Sequence, residues 1–219
     1  MCSAIIRTQA SDFIVDEVLG FSPDGEGEHD FLVIRKTGAN TAWVARQLAH
    51  YAGIPARDVG YGGLKDRHAI TTQAFTVRRP GRAAPDWSRF VASGVEIRAI
   101  ARHGRKLRRG AHKGNRFRIR LRGKELEHHS KAISERIAVI RELGIPNYFG
   151  EQRFGHGGRN LELARSMFAG KRLKRDKRSI AISAARSYIF NRTLDARVRD
   201  GSWNSLRAGD LANLDGTGS

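Results

Sequence analysis

A single cysteine, Cys2, stands in the 219 residues, so no intrachain disulfide and no cysteine-based zinc site can form. That usage fits a reducing compartment, and a cytoplasmic protein is expected. No apolar run approaches the ~18 residues needed to cross a bilayer, and the start MCSAIIRTQASDF has too short an apolar stretch for a secretory signal. A membrane partner is therefore not expected. Familiar catalytic signatures are missing as well. There is no H-E-x-x-H for zinc and no G-x-S-x-G for a serine nucleophile, and DGEGEHD lacks the Asp/Asn spacing of a calcium loop. GYGGLKD (60–66) has the glycines of a phosphate loop without its G-K-[ST], since Lys65 follows Leu64 and precedes Asp66. What remains is carboxylate chemistry with neither metal nor cofactor.

Acidic residues are also scarce: 22 Asp and Glu face 40 Lys and Arg, a formal net charge of +18. Such a balance points to a polyanion, because Lys and Arg that neutralise phosphates release condensed counterions. From Arg102 to Lys124 the chain holds eleven Lys or Arg and no acid. Within it, RFRIRLR alternates strictly, which predicts a strand with Phe117, Ile119 and Leu121 in a core and Arg116, Arg118, Arg120 and Arg122 on the free face. Together with Arg105, Lys106, Arg108, Arg109 and Lys113, these cations read as a strip that tracks a phosphate backbone. A merely solvated face would mix signs. KRLKRDKR (171–178) is a second, less ordered cluster. No helix-turn-helix, zinc-finger or basic-zipper pattern favours DNA.

With 40% hydrophobic residues the chain can bury a core. DFIVDEVL (12–19), EHDFLVIRK (28–36), TTQAFTVRR (71–79), VEIRAIARH and NRFRIRLRG read as strands. NTAWVARQLAHYAGI (40–54) changes period, placing Trp43, Val44, Leu48 and Tyr51 on one helical face, with Asn40 or Thr41 as N-cap. EHHSKAISERIAVIRELGI predicts an amphipathic helix with Ile133, Ile137, Ile140 and Leu143 inward. The mixed, non-alternating order implies an α+β fold rather than a doubly wound sheet. Beyond GIPNYFGEQRFGHGG the chain turns helical, which places a soft boundary near residue 157 and two regions, 1–157 and 158–219. The final LDGTGS comes soon after this helical unit starts and reads as the end of an incomplete chain.

Asp66 is the best candidate for chemistry. It sits at a tight turn between two strands, and the flanking Lys65 and Arg67 oppose the penalty of burying its charge. An ionised, partly desolvated carboxylate acts as nucleophile or general base. On these residues alone a charged surface turn is the stronger reading. In NYFGEQRFG (147–155), Tyr148 or Phe149 offers a stacking surface for an unpaired base, and Asn147, Gln152 and Arg153 offer edge and phosphate contacts. A packed aromatic loop is the alternative.

The motifs GLKDRHAITTQ, RKLRRGAHKGNRFRI, NYFGEQRFG and SAARSYIFN, in that order, with DFIVDE and PDGEGEH near the start, resemble the TruD family of tRNA pseudouridine synthases over nearly the whole chain. The resemblance implies a pseudouridine-synthase-like mixed sheet with flanking helices, followed by part of a mostly helical insertion domain. It implies isomerisation of uridine to pseudouridine, at position 13 of certain tRNAs, with no metal and no organic cofactor. Asp66 then matches the catalytic aspartate, attacking either C6 of the uracil or C1′ of its ribose. Phe149 matches the aromatic that stacks on the target uracil, with Asn147 beside it. Lys65, Arg67 and Gln73, all within the first motif, join them as expected substrate contacts. Arg7 falls where the family often has a lysine, and Ser11 replaces an acidic residue common just before the Asp-Phe pair. Family members continue well past the point matching GDLANLDGTGS, so an incomplete catalytic domain is implied. A monomer that binds tRNA is expected, and the rival reading is a catalytically silent RNA-binding protein.

Overall fold

Alternating apolar residues of high β-propensity build the first two strands of the computed structural model, which describes residues 3–210 except 80, 82 and 84. These are β1 (Phe13–Val18) and β2 (His29–Thr37). Four more follow: β3 (Val59–Tyr61), β4 (Ile70–Arg78), β5 (Val95–His103) and β6 (Gly114–Ile119). The sheet order is β5-β2-β4-β1-β6, with β3 also paired to β4. β1 and β4 run parallel while the other pairs are antiparallel. This is the mixed sheet of the expected α+β class. Cys2 and the final LDGTGS lie outside the described residues.

One helix, α1 (Thr41–Ala52), covers part of this sheet and ends at Gly53, whose φ of +62° is the left-handed conformation that glycine adopts freely. Its Val44 and Leu48 meet Leu32, Ile34, Phe75, Val77 and Trp87 in the main core. Trp43 packs against that core part-buried, and Tyr51 sits at the rim, donating from its hydroxyl to the Asp86 carbonyl at 2.7 Å. Asn40 is the N-cap residue but makes no side-chain cap bond. At the far end of β2, buried Asp30 accepts from Arg79 Nη2 at 2.7 Å, Arg102 at 2.6 Å and Trp87 Nε1 at 2.9 Å. Burial pushes its carboxyl up, yet the hydrogen bonds from Arg79, Trp87 and Arg102 together hold it below the usual aspartate value.

β6 departs from expectation. Phe117, Ile119 and Leu121 are exposed rather than in a core, Phe117 to 53%. The cause is position: β6 is the outermost strand and pairs only with β1. Phe117 reaches the Phe13 ring at 5.9 Å. On the opposite face Arg118 pairs with Asp16 at 3.3 Å, and Arg122 grips Asp12 through two bonds of 2.8 Å each.

The chain forms two compact units, residues 1–129 and 130–219. All six strands and α1 belong to the first. Residues 130–157, grouped on sequence with the sheet, lie in the second. That unit holds α2 (Ser130–Leu143), α3 (Arg159–Phe168) and α4 (Arg175–Arg199). α3 and α4 pack together, and small residues are buried on both: Ala164 on α3, Ala181, Ala184 and Ser187 on α4. α2 has the predicted period but no buried residue, so Ile137, Ile140 and Leu143 are exposed where an inward face was expected. Half of KRLKRDKR is helical, since α4 starts at Arg175.

Candidate active site

The GYGGLKDRHA segment leaves β3 and re-enters the sheet as β4, and glycine is needed on the way. A Cβ on Gly60 would lie 2.5 Å from both the Leu107 carbonyl and the Thr76 hydroxyl. Beyond it the loop is stitched to its surroundings by buried polar groups. The Thr41 hydroxyl, at the start of α1, donates to Gln73 Oε1 at 2.9 Å and accepts the Lys65 N–H at 3.0 Å. Gln73 Nε2 in turn donates to the Gly63 carbonyl at 3.2 Å. Lys65 Nζ bonds Glu17 Oε1 at 2.7 Å, the two side chains being 4% and 1% exposed. The other Glu17 oxygen accepts the Ala74 N–H at 2.9 Å, just beyond Asp16↔Thr72, where the parallel ladder of β1 and β4 stops. Lys65 and Gln73 thus stand within the scaffold of the loop rather than on its open side.

Asp66 itself is held by its backbone. Lys36 Nζ donates to the Asp66 carbonyl at 3.0 Å and to the Ala39 carbonyl at 2.8 Å. This lysine is fully buried, 0% exposed. Burial lowers its pKa to about 8, with Lys65 adding to the effect and Asp66 opposing it. Arg67 Nε donates to the Gly38 carbonyl at 3.2 Å, tying the loop to the β2–α1 turn. The Asp66 carboxylate points the other way, 42% exposed, with Arg7 Nη2 at 3.8 Å. Arg7 adopts a φ of +62°, uncommon for a residue with a side chain, and its guanidinium lies 4.0 Å over the Phe13 ring. The arrangement is an accessible carboxylate on an immobilised turn, with one cation beside it and a second beneath.

Lys36 and Glu17 escaped the motif reading, though both carry a signal. Leu32, Ile34 and Lys36 share one strand parity and are fully buried, and on β1 the Glu17 side chain, 1% exposed, shares the parity of buried Phe13 and Val15. A charge on the inward parity of a strand marks a buried ion awaiting a partner.

In the second unit, the amide of Asn191 clamps the backbone of Phe149, accepting its N–H at 2.9 Å and donating to its carbonyl at 2.9 Å. The Phe149 ring meets Phe190 edge-on at 5.4 Å, and the Arg153 guanidinium lies over it at 4.9 Å. Arg153 also donates to the Ser183 hydroxyl at 3.1 Å. Two of the sequence motifs, NYFGEQRFG and SAARSYIFN, are therefore one structural element. Asn147 is exposed in the same segment.

Of the expected phosphate strip, Arg105, Arg108, Arg109, Lys113 and Arg116 are exposed. None of the five has an acidic partner among the described residues. Lys106 donates to the Arg57 carbonyl, and Arg118 is paired with Asp16. Among the described residues no three His, Cys, Asp or Glu side chains group as metal ligands, and no helix is long and apolar enough to cross a membrane.

The fold has a solved counterpart. A candidate tRNA pseudouridine synthase D from Methanosarcina mazei superposes with a TM-score of 0.64 at 20% identity, covering 94% of this chain and 55% of that one. Sequence narrows the class. The family model for tRNA pseudouridine synthase D (TruD) matches residues 2–164. The tRNA pseudouridine synthase D of Methylococcus capsulatus is 54% identical over 218 residues, covering 99% of this chain and 61% of its own. That of Cellvibrio japonicus is 51% identical over 214 residues, covering 95% and 63%. The chain belongs to the TruD family, and it spans about three fifths of the length of the curated relatives it matches.

Proposed function

We propose that this protein isomerises uridine to pseudouridine in tRNA, at uridine 13, with Asp66 as the nucleophile. In that reaction the N1–C1′ bond of the nucleotide breaks and a C5–C1′ bond forms. The proton lost from C5 is balanced by one gained at N1, so no oxidant, metal or organic cofactor is consumed. The observation that carries the reading is the Asp66 carboxylate, open to solvent and beside Arg7, on a turn that Lys36 holds from beneath. An immobilised nucleophile loses little freedom when its substrate arrives. Arg7, 3.8 Å away, directs the carboxylate, and Arg67 fixes the turn. Lys65 and Gln73 act as positioning residues in this scheme. Phe149 stacks on the target uracil with Asn147 at its edge, once the uridine has left its own stack.

Residues 1–157 form part of the catalytic domain in this reading, and 158–219 open the family's insertion domain. The exposed Arg105, Arg108, Arg109, Lys113 and Arg116 seat the phosphate backbone, and the protein works as a cytoplasmic monomer.

The test is tritium release from tRNA transcripts carrying 5-tritiated uridine, with Asp66→Asn alongside. Release by the unaltered chain, abolished in Asp66→Asn with RNA affinity nearly intact, is the expected result. Release that survives in Asp66→Asn removes Asp66 from the mechanism. Binding without release leaves a silent RNA-binding protein.

A further inference from the structure

The two motifs that meet at Phe149 border a groove of about 590 Å³ in the second unit. Phe149 and Arg153 line it from one motif, and Ser183, Arg186, Ser187 and Phe190 of α4 from the other. The Asn191 clamp accounts for only part of the second motif.

Serine recurs on α4 at 179, 183 and 187, a spacing of four that sets all three hydroxyls along one side of the helix, and all three line the groove. Such a stripe by itself serves helix packing as well as binding. Ser187 separates the two uses. It is 5% exposed and lines the groove, yet its hydroxyl has no hydrogen-bond partner among the described residues. A serine or threonine inside a helix can bond back to the carbonyl four residues earlier, as Thr193 does to Ile189 at 3.1 Å. Ser187 leaves that bond unmade. The hydroxyl is reachable, in contrast to the sealed and unpaired one of Thr71. A nearly buried donor without an acceptor costs free energy until something in the groove takes its hydrogen.

The charge of the groove is of one sign. Arg153 and Arg186 line it, and no described acidic residue does. Arg153 is tethered by the Ser183 hydroxyl at 3.1 Å beside the Phe149 ring. Arg186 is exposed and has no acidic partner among the described residues.

We infer that this groove holds a backbone phosphate of the RNA, the one flanking the unpaired base at Phe149, between the Arg153 and Arg186 guanidinium groups and with the Ser187 hydroxyl donating to one of its oxygens. Two cations and a donating hydroxyl match a group that only accepts, and cationic donors beside an aromatic ring are what hold a single strand next to a stacked base. The assignment rests on the reading of Phe149 in the proposed function as the platform for an unpaired base, but not on isomerisation. It gives Ser187 and Arg186 a part in seating the substrate.

The test follows binding of a labelled tRNA transcript by fluorescence anisotropy across a salt series. Arg186→Gln should weaken binding about tenfold and reduce the slope of log affinity against log salt by about 0.7 to 0.9, the value for one phosphate contact. Ser187→Ala removes a donor but no charge, so affinity should fall about fivefold with the slope unchanged. Arg192→Gln is the control, because Arg192 is an exposed cation of α4 that does not line the groove, and it should leave the slope as it is. Arg186 is exposed, so its variant keeps the fold and decides the matter alone if thermal melts show Ser187→Ala to be unfolded. A slope unchanged in Arg186→Gln, or reduced equally in Arg192→Gln, overturns the assignment, as does full affinity in a folded Ser187→Ala. No RNA binding by the unaltered chain overturns this assignment and the proposed function together. The expected losses of binding in a chain that releases no tritium support the groove while overturning the isomerisation.

Discussion

Lys36 and Asp66 are joined by a hydrogen bond from the lysine ammonium to the aspartate's main-chain carbonyl, at 3.0 Å, rather than by a direct bond between their side chains. The ammonium fixes the turn while leaving the carboxylate open to solvent. The cost is a fully buried cation, and its pKa of about 8 records that cost.

A pH dependence follows. Between about 8 and the ordinary lysine value of 10.5 the unfolded chain holds the proton that the folded chain has released. Stability must rise with pH across that window, by about 3 kcal/mol in full. Below pH 8 both states are protonated and the slope vanishes. Urea denaturation at pH 7 and pH 10 should show this gain in the unaltered chain and not in Lys36→Met. Equal gains in both would mean that Lys36 does not titrate in the fold.

The Lys65–Glu17 pair makes a different kind of demand. Both side chains are buried, so removing one strands the other. Lys65→Met should cost about 3 kcal/mol, and Lys65→Met with Glu17→Gln should cost clearly less than the two single changes added together. Thermal melts of the three variants measure the coupling. Strict additivity would sink the claim that the pair acts as a unit.

Asp12 contributes to the acid limb. The Arg122 hydrogen bonds lead in holding its carboxyl below the usual value, against the opposing push of burial, with the Gln9 backbone N–H assisting. Its contribution is therefore present above the ordinary aspartate range and disappears as pH falls through the folded value. The unaltered chain should be more stable than Asp12→Asn at neutral pH, and the difference should close in acid. A gap that persists at the lowest pH would point to packing instead.

The Asn191 clamp predicts a local effect. Asn191→Ala removes both bonds to the Phe149 backbone. Exchange of the Phe149 amide should accelerate at least about tenfold, since one net hydrogen bond is worth about 1 kcal/mol and two are lost. Unchanged exchange would show that the Phe190 contact alone holds the segment.

Much of this architecture was legible in the chain. Strand alternation placed β1, β2, β4 and β5 to within a residue or two, and the change of period at Asn40 placed α1. Periodicity describes which side of an element is apolar, not whether anything covers it. That is why the exposed apolar faces of β6 and α2 could not be foreseen.

The candidate site divides in the same way. The sequence by itself determined that Asp66 sits on a glycine-rich turn amid cations, because turn residues and charge are local properties. Which cation serves it was a tertiary decision. Lys65, its neighbour in sequence, is drawn away to Glu17, while Arg7 and Lys36 come from distant positions to replace it. Parallel pairing of β1 with β4 brings Glu17 beside the loop, and antiparallel pairing of β2 with β4 brings Lys36 beneath it. A charge pairs with what the folded chain sets within a few ångströms, and sequence order does not fix that distance.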